Sequence, residues 1–142
     1  MNAYFSKITL AAALVAGSVG LAQAQMAPND MGTGAQRGAT ALRQSGEVGT
    51  VTLFDRGPNA TLVVLNVQQA PNHPQPAALQ RAQSCRQIEP QVAFPLNDVV
   101  GGHSSTIVNV SKDRLLSGNY AAIVHANHAD PTWYVNCGHL YR

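Results

Sequence analysis

Residues 119–140, NYAAIVHANHADPTWYVNCGHL, constrain the fold of this chain more than any other stretch. Tyr120–His125 is an apolar run that ends on a histidine, and its length is that of a buried strand. His128-Ala129-Asp130-Pro131 follows as a polar loop. Trp133–Cys137 is a second apolar run and carries one of the two cysteines. The unit reads as strand, loop, strand, and the fold is expected to be organised around it and a disulfide.

The compartment follows from the other end of the chain. Lys7 is the only early charge, Ile8–Val15 is apolar, and Ala22-Gln23-Ala24 is a small-x-small cleavage site. Residues 1–24 therefore read as a secretory signal peptide. The apolar part is too short to span a membrane, so no span is expected after cleavage. The product is expected in the periplasm or secreted. Cys85 and Cys137 then form an even pair in an oxidising compartment, which favours one disulfide over two reduced thiols. Closing so long a loop contributes about 4 kcal/mol in the chain-entropy model. The formal net charge is only +2 and basic residues do not cluster, so a nucleic-acid partner is not expected.

Residues 25–45 are rich in Gly, Ala, Asn, Asp and Pro without a sustained period, and read as a flexible arm. The folded domain is expected over 46–142. Gly46–Phe54 alternates, with Val51 and Leu53 on one face. Asp55–Asn59 is a turn, and Ala60–Gln69 is a second strand with Val63, Leu65 and Val67 on its apolar face. Pro71–Pro76 is a connection that cannot sit inside a sheet. Ala77–Cys85 is ambiguous, with residues that favour a helical turn. Pro90–Leu96 is a short edge-like strand. Val99–His103 is a turn and Ser104–Ser111 an alternating strand. Ser111 to Gly118 reads as one helical turn, with Ser111 as N-cap. Short strands and frequent turns predict an all-β Greek-key sandwich or flattened barrel.

At this point specific motifs matter: NATLVVLNV, then a cysteine after a Pro-rich loop, then LLSGNYAAIVH, and finally Val135-Asn136-Cys137-Gly138. Across residues 46–140 the chain resembles the small exported bacterial relatives of copper/zinc superoxide dismutase. The resemblance implies an eight-stranded Greek-key barrel. It implies a disulfide from Cys85 to Cys137 and a copper ligand at His125. The departures fall on the metal centre. The family's His-x-His pair is absent from Ala77–Cys85. Residues 90–102 hold no histidine, so the zinc segment has no counterpart. Residues 131–136 lack the family's guiding arginine.

Copper redox chemistry needs several nitrogen ligands and an open position. One imidazole is insufficient, so the chain is not expected to be an enzyme. The expected function is a non-catalytic binding or structural module, with a protein partner or a second copy of the chain as the kind of partner it would take. The alternative is a copper- or zinc-binding protein with a rearranged site of His125, His128 and His139, joined by Asp130, and with residual dismutase activity. That alternative requires the strand of His125 to pair with the strand of His139 so that the rings converge. Trp133 and Tyr134 are a second candidate surface, although neighbours on a strand face opposite ways.

Overall fold

A computed structural model describes residues 33–141. The leader 1–24 and the first part of the expected arm lie outside them. Eight strands and one helix follow in order: β1 Ala35–Ala41, β2 Gly49–Asp55, β3 Thr61–Val67, β4 Gln75–Ser84, β5 Gln87–Val99, β6 His103–Val108, α1 Lys112–Ser117, β7 Tyr120–His125 and β8 Tyr134–His139. Every pairing is antiparallel, and the lateral order is β5-β4-β7-β8-β1-β2-β3-β6. The end strands β5 and β6 meet through side chains instead of a ladder. The Asn97 N–H donates to Thr106 Oγ1 at 2.8 Å, its Nδ2 donates to the Ser105 carbonyl at 2.8 Å, and Ser104 Oγ donates to the Asn97 carbonyl at 2.7 Å. The result is a nearly closed eight-stranded barrel.

Two expectations are corrected. The arm expected over 25–45 contains β1 from Ala35 to Ala41. Its small and polar residues carry little pattern of their own. Its strand state comes from pairing with β2 through residues 35–39 and with β8 through Thr40 and Ala41. The ambiguous segment Ala77–Cys85 lies in β4, a strand wedged between β5 and β7, where two ladders outweigh the helical propensity of Ala, Leu and Gln. Pro76 falls at a register shift between Gln75 and Ala77, the place in a sheet where a residue without an N–H is tolerated.

β7 is buried along almost its whole length because both of its faces are covered. Ala122 and Val124 point into the barrel with Val51, Leu53, Leu65, Leu79 and Leu115. Ala121 and Ile123 point outward and lie with Ala82 and Cys137 under Leu42, Cys85, Ile88 and Tyr134. The Cys85–Cys137 disulfide, with Cα atoms 5.8 Å apart, clamps this outer cover to β8. Gly138 is required beside it, since a Cβ there would stand 2.8 Å from Val51 Cγ1. The helix is capped as its sequence predicts: Ser111 Oγ accepts from the Arg114 N–H at 3.3 Å, and Leu115 and Leu116 fill the barrel end.

Candidate functional site

The histidines proposed as ligands lie on or beside β7 and β8, and these strands do pair. Their register, however, offsets the two residues along the strands, and each side chain turns to another partner. His125 is opposite Tyr134, while His139 is opposite Ala121. Four strand positions separate Ala121 from His125, about 14 Å at the usual rise. His139 Nε2 bonds instead to the Ala82 carbonyl at 2.9 Å. His128, on the exposed loop, meets Asp98 Oδ2 at 2.8 Å. Asp130 is used within the loop. Its Oδ1 accepts from Thr132 Oγ1 at 2.7 Å and from the Thr132 N–H at 3.0 Å. These bonds hold its carboxyl below the ordinary carboxylate range. The remaining histidines are likewise paired locally, His73 to the Ala126 carbonyl and His103 to Asn66 Oδ1, each at 2.9 Å.

His125 is different in kind. It closes β7 on the outward face, is 6% exposed, and has a protein oxygen within 3.1 Å of each ring nitrogen. Nδ1 lies 2.6 Å from the Pro131 carbonyl, which holds the 126–133 loop over the ring. Nε2 lies 3.1 Å from Gln80 Oε1. Gln80, fully buried on β4, also donates through Nε2 to the Glu89 carbonyl at 2.8 Å and approaches the Tyr134 hydroxyl at 3.4 Å. The Tyr134 ring meets His125 edge-on at 5.1 Å. Burial holds the imidazole below its ordinary pKa, and the Pro131 carbonyl opposes that shift more weakly. At neutral pH the ring is therefore uncharged and carries one N–H, which donates to one of the two oxygens while the other nitrogen is covered by protein.

This arrangement does not fit copper or zinc. A ligating imidazole needs a lone pair directed at an open position. Here both nitrogens face protein oxygens within hydrogen-bond distance. Among the described residues, no group of three His, Cys, Asp or Glu side chains stands close enough to hold a metal ion. Gln80 is the site residue that sequence reasoning missed. Its stretch was informative only for the histidines it lacks, and one glutamine among Ala, Leu and Arg carries no local signal of a role.

A second buried polar group ties the β1–β2 connection to β4. The Glu47 carboxylate receives Gln75 Nε2 at 3.0 and 3.1 Å, while Gln75 Oε1 is buried without a partner. Burial raises the Glu47 pKa, and the Gln75 amide and nearby His73 offset part of that rise. Trp133 is exposed just before β8, under the Arg43 guanidinium 4.7 Å above its ring, while Tyr134 is half-buried. No described helix is long and apolar enough to cross a membrane. Comparison with protein-family profiles, curated proteins and solved structures found no match to this chain.

Proposed function

We propose that this chain is an exported, non-catalytic binding module built on a superoxide-dismutase-like Greek-key barrel, in which the copper position has become a structural hydrogen-bond network. The observation that carries this reading is His125, buried with Nδ1 on Pro131 and Nε2 on Gln80. The position that would supply a copper ligand is closed by protein on both sides. Gln80, which pairs with Ala121 in the β4–β7 ladder and reaches His125 through its side chain, adds an amide that stabilises a folded core and is a poor ligand for copper.

Three features support the family part of the reading. β4, β5 and β6 neighbour one another in sequence order, and β3 lies beside β6, which is the Greek-key arrangement. The disulfide joins the connection after β4 to the Cys-Gly of β8. A histidine ends the strand before the last loop. Export rests on the leader pattern of residues 1–24 and places the module in the periplasm or outside the cell.

The test is metal content and affinity. The mature protein, purified from an exported preparation without chelators, is expected to hold far less than one equivalent of copper or zinc. Copper titration is expected to give no His125-dependent site tighter than about 1 μM. A stoichiometric site below that value, lost in His125→Gln, would replace this reading with that of a metalloprotein.

A further inference from the structure

The outer cover of β7 carries a depression that the histidine network does not use. It is an open depression of about 310 Å³ lined by Leu42, Arg43, Cys85, Arg86, Ile88 and Tyr134. Its apolar walls are Leu42, Ile88 and the disulfide. Its polar residues are Arg43, Arg86 and Tyr134. Neither arginine makes an ion pair within 4.0 Å among the described residues, where the single such pair is His128–Asp98. Arg43 has Asp130 in its neighbourhood and lies over the Trp133 ring. The Tyr134 hydroxyl lies 3.4 Å from Gln80 Nε2, which donates to it. Its own proton therefore remains free to donate. Two arginines and a tyrosine thus line one space beside Leu42, Ile88 and Cys85.

The backbone that presents Arg43 is strained. Arg43 and Gln44 have φ of 51° and 57°, and the Ser45 N–H closes the turn on the Leu42 carbonyl at 3.0 Å. Two consecutive positive φ values are the pattern of a type I′ turn, which favours Asn or Gly. The β5–β6 turn obeys that rule with Gly101 and Gly102. The turn beside the depression instead places an arginine there. Left-handed backbone at non-glycine residues is concentrated at ligand sites, where surrounding structure holds it. Arg86 is held from the other side, one residue after the disulfide.

We propose that this depression binds a small organic carboxylate with an apolar body, its carboxylate held by Arg43, Arg86 and the Tyr134 hydroxyl and its body against Leu42, Ile88 and the disulfide. Planar guanidinium groups match a carboxylate in geometry and charge. The volume lies at the small end of ligand pockets and suits a body of one ring or a short chain. A neighbouring depression that shares Arg86 and Ile88 also contains Glu89, whose charge disfavours an anion there. The inference extends the reading of a binding module by naming a ligand class.

The probe is sodium benzoate, titrated into the disulfide-bonded mature protein and followed by backbone amide NMR shifts, with metal content measured on the same preparation. Saturable shifts are expected at Leu42, Arg86, Ile88 and Tyr134, with a Kd of about 1 mM, as few ligand atoms allow. Arg43→Gln and Arg86→Gln are each expected to weaken binding about tenfold, with unchanged thermal midpoints, and Tyr134→Phe about threefold. Benzamide, which lacks the charge, is expected not to saturate, and sulfate to bind more weakly than benzoate. Absence of saturation by about 50 mM benzoate would overturn the proposal. So would equal binding of benzamide or sulfate, or arginine variants that bind like the wild type. Metal-loaded protein that still binds benzoate would sink the module reading and leave the pocket standing. Metal-free protein that ignores benzoate would sink the pocket alone.

Discussion

Replacing both Cys85 and Cys137 with alanine removes the covalent tie between the β4–β5 connection and β8. The cysteines are 52 positions apart, and in the chain-entropy model opening that loop releases about 4 kcal/mol of denatured-state entropy. Cys137 is 1% exposed and packs with Ile123, so losing its sulfur adds a cavity cost of about 1 kcal/mol. Urea unfolding of a domain this size has a slope of about 1.5–2 kcal/mol per M, so the midpoint should fall by about 2–3 M. Trp133, the single tryptophan, reports the transition by fluorescence, and far-UV circular dichroism reports it independently. Reducing the wild type with a thiol keeps both sulfurs and separates the tether from the cavity. Its midpoint should fall slightly less than that of the double variant. A shift below about 0.5 M in reduced protein would refute the idea that the long loop sets the contribution.

Two further outcomes concern buried titratable groups. Because burial lowers the His125 pKa, its stabilising contribution is complete above the unfolded value of 6.5 and declines as pH falls through that value toward the folded one. The urea midpoint of the wild type should fall between pH 7.5 and pH 5, and His125→Gln should show a smaller fall. Equal slopes would mean the ring is not held neutral. Glu47 has the opposite sign. Its raised pKa means that stability is lost as pH rises from 4.5 through the folded value. Glu47→Gln removes that loss and supplies an amide able to donate to the partnerless Gln75 Oε1. Its thermal midpoint at pH 7 should rise, by an amount worth about 1 kcal/mol. A decrease would show that the carboxylate is needed in the ionised state.

Much of the fold is legible locally. β3 shows its alternation outright, with Val63, Leu65 and Val67 buried as the apolar face predicts. Ser111 and Gly118 bracket α1 because capping is satisfied within one turn. β1 and β4 are not legible, since neither has a strand pattern strong enough to resist other readings. Each becomes a strand because two neighbours supply its ladder bonds. Trp133 and Tyr134 were visible as a pair, but the roles of Arg43 and Arg86 depend on a turn and a disulfide bringing distant segments together.

The sequence by itself determined an all-β domain, most of its strands and turns and an even pair of cysteines, because alternation, turn chemistry and cysteine count are properties of short segments or of composition. Tertiary structure decided what the histidines do. The β7–β8 register places His139 opposite Ala121, far from His125, and a one-dimensional pattern does not encode that register. It also brought Gln80 from β4 and Pro131 from the loop onto the two nitrogens of His125. The stretch 119–140 thus retained its architectural role, while the chemistry of its first histidine was set by residues that sequence alone gave no reason to place beside it.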